Sequence, residues 1–241
     1  MLDIYLITLS ILGIIYWIYH RAYGLVNQAK EFSYRETSDK PRIHAPSFWQ
    51  GFLSYSAPTA ISVLLIKQFM MDMMDIPSYS MLPSYPAGVT IFVDKNEFGI
   101  RLPISNKFIN PPLEPKPGSV AVMQFPLNPS VNYIKRVIAT SNDTLSADQT
   151  GINLNGQHYP YTYVESRDFS IKSEKQLHDV YSIKLNGTAY EVIVKQGGQL
   201  PTIPFQRLPH RTMFVLGDNL TGSSDSRNFG VVPLSYLIGS V

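Results

Sequence analysis

A serine hydroxyl is a poor nucleophile until a neighbouring base takes its proton. The segment Asp75-Ile76-Pro77-Ser78-Tyr79-Ser80-Met81-Leu82-Pro83 sets two serines two residues apart in proline-flanked, extended sequence. The five histidines (His20, His44, His158, His178 and His210) stand in no triad or metal-ligand spacing. Ser-His-Asp chemistry and a His-Glu-x-x-His metal site are therefore both unsupported. The chain has no cysteine, which excludes disulfides and thiolate metal sites.

Lysine is the remaining base, and it serves only when neutral. Its reference pKa near 10.4 leaves only about 0.04% neutral at pH 7, and burial can lower that pKa to about 5–6. Lys135, within Tyr133-Ile134-Lys135-Arg136-Val137-Ile138, has the apolar, β-favouring neighbours such a site requires. The same six residues also suit an exposed, solvated Lys-Arg pair. A third segment, Gly217-Asp218-Asn219 followed by Ser223-Ser224-Asp225-Ser226-Arg227, taken alone reads as a turn with surface charges.

Positioning these groups falls to an N-terminal apolar region and a β-rich remainder. Ile4 to Tyr19 is apolar or aromatic except at Thr8, Ser10 and Gly13, close to the roughly 20 residues that cross a bilayer. Asp3 precedes the run and Tyr16-Trp17-Ile18-Tyr19-His20-Arg21 follows it, the reverse of a cleavable signal peptide. The expected organisation is a transmembrane anchor over 1–20, a basic cytoplasmic loop over 21–51 and a second transmembrane helix over 52–74. An extracytoplasmic β-rich domain follows over 75–241. The second span is the more polar, with Ser54, Ser56, Pro58, Thr59, Ser62 and Lys67, a pattern that an amphipathic or interfacial helix also fits. Arg21, Lys30, Arg35, Lys40 and Arg42 fill the intervening loop and no Lys or Arg precedes the first span, so both ends of the chain are expected outside.

The larger domain is expected to be mainly antiparallel β. Short β-branched or aromatic runs fall at 89–93, 119–123, 133–139, 190–195 and 213–216, separated by Pro and Gly. Residues from about 142 to 210 read as a β-rich insertion. Charged residues make up 16% of the chain and the net charge is +2, without a basic run, so nucleic acid is not an expected partner.

Ile76-Pro77-Ser78-x-Ser80-Met81, Tyr133-Ile134-Lys135-Arg136 and Gly217-Asp218-Asn219…Ser223-x-Asp225-Ser226-Arg227 resemble, in this order, the sequence boxes of the type I bacterial signal peptidases. Phe98-Gly99-Ile100-Arg101-Leu102-Pro103 resembles a Gram-negative version. The resemblance implies a membrane-bound serine endopeptidase that cuts exported preproteins after small residues, on the periplasmic side of the inner membrane. It makes Ser80 the nucleophile, Lys135 the general base and Ser78, with the Ser80 backbone N–H, the oxyanion hole. Ser223 would orient the lysine, Asp225 and Arg227 would pair in support of that loop, and Asp218 would be a further structural acid. Ile76, Met81, Tyr133 and Ile134 would line the substrate pockets, and Tyr85, where the family has Leu, would narrow one of them. The implied partners are preproteins, their signal peptides and the lipid bilayer, and no cofactor or metal is implied. A peptidase dedicated to one pilin-like substrate shares these features, as does a membrane-anchored peptide-binding module without hydrolysis. Self-cleaving repressors also use Ser and Lys, but they are soluble and carry a DNA-binding domain that is not seen here.

Overall fold

The computed structural model describes residues 15, 17–19, 21–22, 71–101 and 108–241. The chain divides into two compact units, Met1–Gln68 and Phe69–Val241. Of the first, the described residues are all helical. Among the described residues no helix is long and apolar enough to cross a membrane. The expected spans at 1–20 and 52–74 lie outside the described residues, apart from that helical handful and the last residues of the second.

Those last residues are a correction. Met71–Asp75 is a β-strand, β1, so the second apolar segment does not continue as helix to residue 74. Three methionines favour a helix locally, but antiparallel pairing with β2 (Thr90–Asp94), Met73 opposite Phe92, decides the outcome.

The rest is antiparallel β, as expected. A seven-stranded sheet is built from β1, β2, β3 (Val120–Phe125), β4 (Asn128–Ala139), β12 (Thr212–Leu216), β13 (Val232–Pro233) and β14 (Leu237–Ser240). Its order is β1-β2-β14-β3-β4-β12-β13. The 142–210 stretch forms two smaller sheets. Strands β5 (Thr144–Asp148), β6 (Gly151–Leu154), β7 (Gln157–Pro160) and β11 (Ile203–Arg207) make one, in the order β11-β5-β6-β7. Strands β8 (Thr162–Ile171), β9 (Glu174–Leu185) and β10 (Thr188–Lys195) make the other, in the order β10-β9-β8.

Side chains alternate across a strand, so a strand covered on both faces joins two cores. On β12, Met213 and Val215 enter a cluster with Phe98, Met123, Val137, Leu234 and Leu237. Phe214 and Leu216 enter another with Ile138, Leu145, Ile183, Leu185, Val192 and Val194. The second cluster is shared with the insertion, which is thereby packed into the domain and not appended to it. Each fully buried aliphatic side chain of this kind contributes about 1.5–3 kcal/mol.

Strand β4 outruns its partner. It pairs with β3 from Asn128 to Arg136. Its other edge meets β12 only from Arg136 onward, through Arg136↔Leu216, Val137↔Val215 and Ala139↔Phe214. Among the described strands, none pairs with that edge over Asn132 to Lys135, which leaves an open row of backbone donors and acceptors beside Lys135.

Candidate active site

Lys135 Nζ donates to Ser80 Oγ at 2.7 Å. Lys135 is 3% exposed and Ser80 7%. Burial is the largest influence on the amine and lowers its pKa to about 8; Asp225 and Asp218 pull it back upward, and Arg227 pushes it down. The Tyr133 ring, its centre 5.2 Å from Nζ, covers one side. This ring is fixed in turn by stacking on Phe125 at 4.4 Å and an edge contact with Phe229. Ser78 Oγ lies 3.1 Å from Ser80 Oγ. The two hydroxyls and the amine thus form one connected set.

The Gly217 box holds the Ser80 segment from behind. A Cβ on Gly217 would stand 2.4 Å from the Ser80 carbonyl oxygen and 2.2 Å from Ser223 Oγ, so no other residue fits there. Asn219 donates from its backbone N–H to the Ser80 carbonyl at 3.0 Å and from its side-chain amide to the Tyr79 carbonyl at 3.3 Å. Asp225 accepts from the Gly217 N–H at 3.0 Å and caps the short helix Ser226–Phe229. Its carboxylate also takes a two-point ion pair from Arg227 at 2.7 and 2.8 Å, and Arg227 reaches on to the Leu220 carbonyl. Asp225 is fully buried, so this pairing offsets the desolvation of its charge.

Ser223 departs from expectation. Its Oγ is buried without a hydrogen-bond partner and donates nothing to Lys135. The hydroxyl sits over the Gly217 Cα, where the missing side chain makes room, and the amine points instead at Ser80.

Asp218 faces the other side of β4, where Arg136 forks onto it at 2.8 and 2.6 Å. Arg136 also donates to the Gly118 carbonyl at 2.7 Å and lies over the buried Tyr190 ring at 3.9 Å; Ser84 donates to Asp218. Burial lowers the Arg136 pKa, but the Asp218 carboxylate outweighs it and the net shift is upward. Sequence reading assigned Arg136 no role. Its position beside Lys135 was the available signal; its partner 82 residues away was not.

The expected pocket residues divide. Ile76, Tyr85 and Ile134 share one apolar cluster with Ile91, Val93 and Val122. Tyr133 belongs to the cluster on the opposite face of β4. Met81 is fully buried and Ile76 nearly so, which leaves Tyr85, Tyr133 and Ile134 as the ones presenting surface. Among the described residues no group of His, Cys, Asp or Glu could hold a metal.

The sequence model of the family described as "Signal peptidase, peptidase S26" matches residues 49–241. A signal peptidase I from Buchnera aphidicola subsp. Baizongia pistaciae is 32% identical over 236 residues, covering 80% of this chain and 74% of its own. One from Pseudomonas aeruginosa is 32% identical over 195 residues, covering 76% and 67%. A crystal structure of a signal peptidase I from Enterococcus faecalis matches 54% of this chain and 97% of its own at 22% identity, with a TM-score of 0.32, too loose a likeness to specify the fold. The chain belongs to the signal peptidase family, peptidase S26, and the expected hydrolase is borne out.

Proposed function

We propose that this chain is a membrane-anchored endopeptidase that removes signal peptides from exported preproteins, with Ser80 as nucleophile and Lys135 as general base. The observation that carries the reading is the 2.7 Å contact between a buried amine and a buried hydroxyl. With a pKa near 8, about a tenth of the amine is neutral at pH 7, against far below a hundredth for an ordinary lysine. Neutral Lys135 takes the Ser80 proton as Oγ bonds to the scissile carbonyl carbon. The resulting oxyanion is placed for the Ser78 hydroxyl and the Ser80 N–H, and one such donor typically contributes 10²–10³ in rate. The ammonium then returns its proton to the leaving amine. A water, deprotonated by the same lysine, releases the acyl chain and restores Ser80.

The open β4 edge over Asn132 to Lys135 suits an extended peptide added as a strand, which brings its carbonyl beside the dyad. Tyr85 and Ile134 fill space near this edge, in keeping with a shallow pocket for small residues. The basic loop over 21–51 supports an N-out, C-out topology, with the catalytic domain periplasmic.

The test is mass spectrometry of a preprotein incubated with the full chain. Cleavage after a small residue is expected, and Ser80→Ala or Lys135→Ala should abolish it; an active Ser80→Ala enzyme overturns the mechanism. For topology, protease added to spheroplasts should digest the 75–241 domain, and full protection would refute the orientation.

A further inference from the structure

The insertion reaches the residue beside Ser80. Tyr79, the residue between the two active-site serines, packs in an apolar cluster with Leu82, Val180, Ile193, Phe169 and Ile171. The last four come from β8, β9 and β10. Two features fix this surface. Strands β8 and β9 join through Lys172 and Ser173, both in the left-handed region at φ 53 and 67, the two-residue turn that matches hairpin twist and pins register. Phe169 and Ile171 lie beside that turn on one face, and Phe169 meets the buried His178 ring edge-on at 5.7 Å. Strand β10 docks onto the Gly217 box through backbone bonds, with the Ile193 N–H donating to the Asp218 carbonyl at 2.9 Å and the Leu220 N–H donating to the Ile193 carbonyl at 2.8 Å. Ile193 therefore ties the insertion to the box with its backbone and to Tyr79 with its side chain.

We propose that the β8–β9 hairpin is a brace for the catalytic serine, with Tyr79, Phe169 and Ile171 as positioning residues that hold Ser78 and Ser80 in register with Lys135. The Tyr79 and Ser80 carbonyls are held from one side by Asn219, which fixes two acceptors but not the rotation of the segment about them. The Tyr79 ring, seated against the hairpin, supplies the second point of attachment. Ring burial, not the hydroxyl, does this: among the described hydrogen bonds none uses the Tyr79 hydroxyl, so Phe should replace it.

The brace rests on the Ser80 mechanism proposed above, and its test separates the two. In the full-length chain, Tyr79→Ala and Phe169→Ala should each lower kcat about tenfold or more with KM within about twofold, while Tyr79→Phe stays near wild type. The rising limb of the pH profile should not move, because none of these residues touches Lys135. Tyr79→Ala combined with Phe169→Ala should be clearly less than additive, as expected for two side chains packed against the same Leu82, Val180 and Ile193. Ile171→Ala is the milder variant should Phe169→Ala not fold. Independently of any activity, amide exchange over 76–84 should accelerate in Phe169→Ala or Ile171→Ala. Unchanged exchange, a wild-type kcat in Tyr79→Ala, fully additive losses, or a Tyr79→Phe as slow as Tyr79→Ala would each overturn the brace. A wild-type chain that cleaves nothing would refute the mechanism and leave the exchange result to decide the brace.

Discussion

Lys135 and Arg136 are neighbours on one strand, both buried, and they end with opposite proton chemistry. The Lys135 side is walled by Tyr133 and the Ser80 hydroxyl, with acids near but none in contact, and its pKa falls to about 8. The Arg136 side holds Asp218 in a two-point pair, and the net shift is upward. Burial alone does not decide the charge of a cation; a carboxylate at hydrogen-bond distance does. Side-chain alternation along β4 keeps the two settings apart, so an amine that gives up its proton near pH 8 can stand one residue from a permanent cation.

The comparison breaks most severely with Lys135→Arg. A guanidinium remains protonated and cannot accept the Ser80 proton. Cleavage should fall by a factor on the order of 10⁴ or more, measured by single-turnover assay. Full activity in this variant would end the contrast between the two sites.

Arg136→Met should cost about 3–5 kcal/mol in stability, because it strands the buried Asp218 carboxylate. Adding Asp218→Leu should recover much of the loss in denaturant titrations, as an apolar replacement of the whole pair avoids the desolvation.

Lys135→Met has the opposite sign. The folded pKa of about 8 lies below the ordinary 10.5, so the fold disfavours the ammonium. That penalty is fully present below pH 8 and vanishes as pH rises through 10.5. Its upper bound is about 3 kcal/mol, from roughly 1.4 kcal/mol per pKa unit. The inactive Lys135→Met chain should therefore melt higher than wild type at pH 7, with the gain fading by pH 10.

The smallest effect is a pH profile. Wild-type kcat/KM should rise with pH to a half-point near 8, and a limb centred near 10.5 would place the base in water.

What was legible in the sequence follows from the range of the interactions. The strands at 90–94, 120–125 and 212–216 declare themselves in β-branched runs, and the proposed pairing of Ser80 with Lys135, which stand 2.7 Å apart, came from motif resemblance. Met71 to Met74 was misread because pairing with β2, not its own composition, makes it a strand. Arg136 was passed over because its partner lies 82 residues on, and the Tyr79 contact because the insertion is distant in sequence. Ser223 was placed in the right loop, but whether its hydroxyl meets an amine depends on packing over Gly217 that no spacing encodes.

Strand β14 carries one more consequence. Leu237–Ser240 lies between β2 and β3, so the strands that follow Ser80 and precede Lys135 are joined only by the segment made after both. A nascent chain that already contains the serine and the lysine still has a gap in the middle of the sheet that supports them. Pairings of such long range form late. The sheet around Ser80 and Lys135 is therefore closed only when Leu237 to Ser240 slot into place, and a translation product that stops short of Leu237 while carrying both residues should be inert.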